Sequence, residues 1–365
     1  MKIDLIAGAR PNFMKIASII DAIHAAQSEN KNIEYRLIHT GQHYDKNMSE
    51  NFFTQLGIPH PHVNLGAGGG SQSEQTAAIM VGYEKLLMTE KSDLCLVVGD
   101  VNSTMACSIV AQKLHVPVAH VEAGIRSGDW TMPEEINRLV TDAITNFFFT
   151  TTPEAGEILK KSGVTEDRIF WVGNTMIDTL LKHRHRFQQP PIWSDLNLRN
   201  NEYLMITLHR PANVDDDKLN VLIDELKHIS KGLPLIFPAH PRTAKILAKL
   251  EIDNPNLHII EPLGYLEFNY LVENARAVIT DSGGITEETT VMGIPCITLR
   301  DNTERPETVK IGTNELIGTN PRAIKPALET LFSGKWKKGG IPELWDGKAG
   351  NRIVNILLEK TIENK

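Results

Sequence analysis

A chain of 365 residues, 41% hydrophobic and 23% charged, has enough apolar material for two domains of ordinary size, each with its own core. A formal net charge of −7 argues against nonspecific binding of nucleic acid, and the longest apolar runs are strand-sized, too short to span a membrane. Cys95, Cys107 and Cys296 stand far apart in apolar segments and read as buried free thiols in preference to disulfides or metal ligands.

Met1 to Asp4 leads straight into a strand with no basic, apolar and small-residue leader, so the expected compartment is the cytoplasm. Ile3 to Gly8 reads as a buried strand, followed by the loop Ala9-Arg10-Pro11-Asn12 and a helix from about Phe13 to Ala26. Strands are then expected at Tyr35 to His39, Leu94 to Val98, Val116 to Val121, Asn146 to Thr150 and Ile169 to Val172. Helices are expected at Asn47 to Leu56, Ser73 to Thr89 and Ser103 to Leu114, and others open near Pro133, Pro153 and Asn174. The basic cluster Lys182 to Arg186 falls at the end of the last of these, where cations suit the helix dipole.

Gln188-Gln189-Pro190-Pro191 and the polar stretch to Asn201 read as a linker. A second alternation follows, with strands at Tyr203 to Leu208, Leu235 to Pro238, Leu257 to Ile260, Ala277 to Thr280, Cys296 to Leu299 and Glu315 to Ile317. Helices are expected at Tyr265 to Ala275, Arg322 to Phe332 and Gly350 to Glu363. Short apolar strands alternating with helices predict two α/β domains, each a doubly wound parallel sheet covered on both faces. The expected division is 1–187, a linker at 188–201, 202–346, and a last helix within 347–365 packing back on the first domain.

Ligands of open parallel sheets bind at the carboxyl ends of the strands, and the polar residues collect there. The first half offers Arg10, Lys15, Gln42, His43, Asp100, Glu122, Glu134 and Arg138, and the second His209, Arg210, His240, Ser282 to Glu288 and Arg305. Each has a plain alternative: Glu134 and Arg138, four apart, could form an ordinary helix ion pair, and Asp100 could cap the helix after it. The strongest local signal is Ala277 to Thr280 running into Asp281-Ser282-Gly283-Gly284 and a helix start. Two glycines and free helix N-terminal amides suit a phosphate, and Glu288 about one turn later could accept ribose hydroxyls. No G-x-G-x-x-G follows a predicted strand, no Walker loop occurs, and no metal-ligand spacing is present. What remains is a protein for a diphosphate nucleotide carrying a second moiety.

Taken together, the residues resemble the non-hydrolysing UDP-N-acetylglucosamine 2-epimerases, which share the two-domain GT-B fold, two Rossmann-like domains facing a central cleft. The matching segments are Gly8-Ala9-Arg10-Pro11 with Lys15, Gln42-His43, Gly99-Asp100, His120 to Gly124, Pro133-Glu134-Glu135 with Asn137-Arg138, His209-Arg210, Thr280 to Glu288, and Arg300-Asp301 through Thr303 to Glu307. The resemblance implies that Arg10, His209, Arg210, Ser282, Gly283, Gly284, Glu288 and Arg305 hold UDP, with Phe268 near the uracil. It implies that Asp100, Glu122 and Glu134 act at the sugar beside Lys15, Gln42, His43 and Arg138, with His209 also counted in the catalytic group. It implies no cofactor, no metal, a UDP-sugar as partner, and a homodimer.

The chemistry suits that set. C2–H of a nucleotide sugar is poorly acidic because C1 is an acetal carbon, so expelling UDP while a base removes the C2 proton gives a 2-acetamidoglycal. Protonation on the other face and re-addition of UDP then invert C2. Asp100 and Glu134 are the expected acid and base, with Glu122 orienting them. Retention of the glycal favours closure over the cleft. One departure concerns activation by a second substrate molecule, which many bacterial members support with an Arg-Gln pair and a further Gln. Here the loop is Gly66 to Gln72 and Asp45 follows Tyr44, which predicts weak or altered activation. Of two alternatives, a UDP-2,3-diacetamido-2,3-dideoxyglucuronate 2-epimerase is suggested by Gln42 to Asp45 with Asn47 to Glu50. A nucleotide-sugar sensor without turnover is disfavoured by three carboxylates crowding an anionic ligand.

Overall fold

Among the described residues thirteen short strands, most of them apolar and buried, make two parallel sheets. The computed structural model describes residues 1–41, 53–210, 213–214, 216–239, 241–249 and 254–363. Cα packing divides the chain into two units, Met1–Lys182 with Glu343–Lys365, and His183–Pro342.

In the first unit the strands are β1 (Lys2–Ala7), β2 (Glu34–His39), β3 (Val63–Asn64), β4 (Leu94–Val98), β5 (Val118–Val121), β6 (Phe147–Thr150) and β7 (Ile169–Trp171), in the order β3-β2-β1-β4-β5-β6-β7. The order reverses between β1 and β4, and a crevice at the carboxyl ends of such a pair is where an open sheet receives its ligand. β1 and β4 are in register through Ile6 and Val97, which sets Gly8 to Arg10 beside Gly99 and Asp100. The two-residue β3 was not expected: so short a strand has no periodicity, and it exists because it pairs with Ile38 and His39 of β2.

The helix Arg10–Ser28 begins three residues earlier than its apolar pattern predicts, with Pro11 tolerated in the first turn. The C-terminal helix Ala349–Glu363 packs against it. A Cβ on Gly350 would lie 2.5 Å from the Ser18 carbonyl oxygen, so only glycine permits this approach. Asp178 caps the last helix by accepting from the amides of Ala349 at 3.1 Å and Gly350 at 2.7 Å.

The second unit contains β8 (Leu204–Thr207), β9 (Leu235–Pro238), β10 (Leu257–Ile260), β11 (Ala277–Thr280), β12 (Cys296–Thr298) and β13 (Asn314–Leu316), in the order β10-β9-β8-β11-β12-β13. Its reversal lies between β8 and β11, whose last residues, Thr207 and Thr280, stand side by side with hydroxyls 2.7 Å apart. Its core is mostly aliphatic, built from residues such as Leu204, Ile206 and Ile279 around Phe237. The stretch 188–201 contains the short helix Pro191–Asp195, where Trp193 packs edge-on against Tyr203 and Tyr270.

Candidate active site

At the first reversal Asn12 stitches the two loops together. Its Oδ1 accepts from the amides of Gly8 at 3.1 Å and Ala9 at 2.9 Å, and its Nδ2 donates to Val98 O at 3.1 Å. One turn later Lys15 reaches Glu122 Oε2 at 2.7 Å. Glu122 follows β5 with φ +70°, a left-handed conformation costly for a side chain of this type and concentrated at functional positions.

Asp100 follows β4 and is held by Arg138, whose Nε and Nη2 donate to its Oδ2 at 3.0 and 2.5 Å. Asn137 donates to the Asp100 carbonyl at 2.9 Å. Both come from the helix Pro133–Ala143, where Glu134 sits half-buried in the first turn. The plain alternative for Asp100, capping the next helix, does not hold: that helix follows Val101, which makes no side-chain capping bond. Arg138 also donates to Glu135 Oε2 at 2.7 Å, and Glu135 accepts from the amides of Ser127 and Gly128. These bonds and burial together place the Glu135 carboxyl below its ordinary value, burial opposing the change and the hydrogen bonds prevailing. Arg10 opens the first helix, but its side chain lies outside the described residues, as do Gln42, His43 and His240 entirely.

At the second reversal the organiser is Asp281, directly after β11 and fully buried. It accepts from the amides of His209 at 3.2 Å and Arg210 at 2.9 Å and from Asn213 Nδ2 at 3.1 Å, and it faces His209 Nδ1 at 2.8 Å. Burial pushes its carboxyl up, yet these partners, His209 first, hold it below the ordinary value. The His209 ring is thereby oriented at the end of β8 while remaining exposed.

The helix Gly283–Met292 starts at Ser282, whose amide donates to Thr280 Oγ1 at 3.0 Å and whose hydroxyl makes no capping bond. Its free N-terminal amides and dipole have the polarity that suits an anion. Nearby, Arg300 pairs with Glu304 at 2.6 Å and Arg305 with Glu287 at 2.7 Å. Burial alone would raise Glu304, but Arg300 and Arg305 hold it down at about 2. Glu288 is buried and accepts from Tyr265 Oη at 3.1 Å; burial, aided by the adjacent Glu287, pushes its carboxyl up to about 7. Phe268 lies half-buried on the helix Tyr265–Asn274 that carries Tyr265.

The structure thus joins Lys15 to Glu122 and Asp100 to Arg138 in one unit, and sets His209, Arg210 and Ser282 around Asp281 in the other. Sequence reasoning gives Asn12 and Asn213 no place in the site, and gives Glu135 and Asp281 a place only in the matched segments, without an organising role. Asp281 had a signal, a carboxylate closing an apolar strand, whereas the partners of Asn12 are 86 residues distant at their farthest.

Residues 25–358 match the family model described as UDP-N-acetylglucosamine 2-epimerase. A UDP-N-acetylglucosamine 2-epimerase of Methanocaldococcus jannaschii is 41% identical over 98% of this chain and 99% of its own. A UDP-2,3-diacetamido-2,3-dideoxy-D-glucuronate 2-epimerase of Pseudomonas aeruginosa is 38% identical over 98% and 99%. Among solved structures, the Methanocaldococcus jannaschii UDP-GlcNAc 2-epimerase in complex with UDP-GlcNAc and UDP superposes with a TM-score of 0.87, covering 98% of this chain and 100% of that one at 41% identity. The UDP-GlcNAc 2-epimerase from Neisseria meningitidis bound to UDP-GlcNAc gives a TM-score of 0.86 at 29% identity, over 98% and 100%.

Proposed function

We propose, for a chain that belongs to the UDP-N-acetylglucosamine 2-epimerase family, that it interconverts UDP-N-acetylglucosamine and UDP-N-acetylmannosamine by inversion at C2. The observation that carries the reading is the rim of the first unit, where two carboxylates, Asp100 and Glu122, are each oriented by a cation in a family member matched along its full length. A protein that only held an anionic nucleotide sugar would gain nothing from such a rim.

In the proposed reaction a carboxylate takes the C2 proton, the C2–H electron pair forms the C1=C2 bond, and the C1–O bond breaks with its pair leaving on UDP. The reverse sequence on the other face of the glycal yields the epimer. Asp100 is assigned one acid/base role because its side chain is 30% exposed, against 3% for Glu122, so it can meet a sugar. Glu134 is its proposed counterpart, and Glu122 with Lys15 orients the pair. The second unit is assigned the UDP: the Gly283 and Gly284 amides and Arg305 for the diphosphate, His209, Arg210 and Ser282 beside them, Glu288 for the ribose and Phe268 for the uracil. Each well-placed donor is worth on the order of 3 kcal/mol as charge grows on the leaving diphosphate.

A second reading, epimerisation of a UDP-2,3-diacetamido uronate, is favoured by the 38% identical relative of that activity. One NMR experiment separates them. Incubated with UDP-N-acetylglucosamine in D2O, the protein is expected to form UDP-N-acetylmannosamine with deuterium at C2. Release of free sugar and UDP would replace epimerisation by hydrolysis, and inert UDP-N-acetylglucosamine beside turnover of the diacetamido uronate would establish the second reading. A cytoplasmic homodimer belongs to the same proposal; among the described residues no helix is long and apolar enough to cross a membrane.

A further inference from the structure

We propose that His120, which none of the roles above includes, is a positioning residue whose ring holds the backbones that carry both rim carboxylates, Asp100 and Glu122. It lies on β5, is wholly buried, and points between the two turns. Its Nε2 is 2.8 Å from the carbonyl oxygen of Gly99, the residue before Asp100. Its Nδ1 is 2.7 Å from Asp142 Oδ1. The other oxygen of Asp142 accepts from the amide of Gly124, two residues beyond Glu122, at 3.1 Å and pairs with Arg126 at 2.6 Å. One connected path therefore runs from the Gly99 carbonyl through the imidazole and Asp142 to the Gly124 amide.

A carbonyl oxygen can only accept, so Nε2 bears a hydrogen. Asp142 is ionised: burial pushes it up, but His120 and then Arg126 hold it below its ordinary value. Nδ1 faces that carboxylate, so the ring is hydrogen-bonded on both sides. The charged groups around it are Asp142 and Arg126 on one side and, across the Gly99 turn, Lys15 and Glu122. A Cβ on Gly99 would lie 3.1 Å from Lys15 Nζ and 3.9 Å from Glu122 Oε2.

Of the turns it ties, the one at Glu122 is costly, with φ +70°, whereas Gly99 and Gly124, at +68° and +78°, are glycines that adopt this conformation without strain. Stability offers little reason for an ion pair here, because well-packed apolar residues often replace a buried pair without loss. Placement of Asp100 against Arg138, and of Glu122 against Lys15, does offer one, since a misplacement of about 1 Å at a reacting group lowers turnover by roughly a hundredfold.

The kinetic part of this proposal rests on the epimerase reading. Two variants separate the two ends of the ring, because an Asn amide falls near the place of Nδ1 and a Gln amide near that of Nε2. His120→Asn, which vacates the Gly99 carbonyl, is expected to lower kcat about a hundredfold with KM for UDP-N-acetylglucosamine changed less than about threefold. His120→Gln, which can still donate to Gly99, is expected to recover most of that loss. The crystal structure of ligand-free His120→Asn, which needs no substrate, should show Asp100 displaced from Arg138. Equal kcat losses in both variants, or a lowered melting temperature with kcat intact, overturn the proposal. If the parent turns over no UDP-sugar, the functional reading fails, and an undisplaced Asp100 in the crystal would then refute the positioning role separately.

Discussion

Lys15 Nζ lies 2.7 Å from Glu122 Oε2 across 107 residues of sequence, with 11% and 3% of the two side chains exposed. Removing one member of such an enclosed pair leaves a buried charge without its counterion. Lys15→Met is therefore expected to cost about 3 kcal/mol in urea unfolding, and Lys15→Met with Glu122→Gln to regain more than about 1 kcal/mol of it. A single variant as stable as the parent would show that solvent, and not Lys15, compensates Glu122.

Asp100, with its Oδ2 held by Arg138, is assigned the proton transfer at C2. Asp100→Asn keeps the shape and one acceptor but cannot take a proton. The rate of C2 deuterium incorporation in D2O is expected to fall by about 10²- to 10⁴-fold, and an unchanged rate would remove Asp100 from the acid/base role.

Glu288 has its carboxyl pushed up to about 7 by burial, and the Tyr265 hydroxyl pulls it back down. If ribose hydroxyls donate to the ionised form, Tyr265→Phe should raise the UDP dissociation constant about tenfold at pH 7, measured by calorimetry. The gap should narrow at pH 9, where the carboxyl is ionised in both proteins. A loss of the same size at both pH values would mean that Tyr265 contributes packing alone.

Asp178, which caps the C-terminal helix, is raised to about 6 from its ordinary 3.8 because burial outweighs the two amides that bind it. A carboxyl whose folded value lies above its unfolded value favours folding below the unfolded value, and that contribution is lost as pH rises through the folded one. Between about pH 4 and pH 6.5 the parent should therefore lose about 2 kcal/mol relative to Asp178→Asn. Urea unfolding of both proteins at the two pH values tests the sign, and a constant difference would contradict it.

The loop Gly66 to Gln72 lacks the Arg-Gln pair expected for activation by a second substrate molecule. Velocity against UDP-N-acetylglucosamine is expected to be hyperbolic, and a strongly sigmoidal curve would refute this.

Much of the fold was legible from the chain alone because short apolar strands and amphipathic helices are local patterns. Leu235–Pro238, Leu257–Ile260 and Ala277–Thr280 lie where the alternation places them. The same holds for the residues at strand ends, Asp100, Glu122, His209 and Ser282, since a polar residue closing a buried strand is marked by its neighbours. The resemblance to the epimerases added what no local pattern carries, the likeness of the whole set to one chemistry.

Which of those residues bond to one another was decided only in three dimensions. Four-residue spacing pairs Glu134 with Arg138, yet the Arg138 guanidinium reaches back 38 residues to Asp100 and takes Glu135 from its own helix. Asp281 gathers His209, Arg210 and Asn213 from about 70 residues away, and His120 links turns that belong to separate strands. Strand order and register select these partners, and they are consequences of how the parallel sheet assembles. Sequence determined the elements and the residue types at their ends, while the tertiary structure decided which carboxylate is oriented by which cation, because that choice depends on distances that only the folded sheet sets.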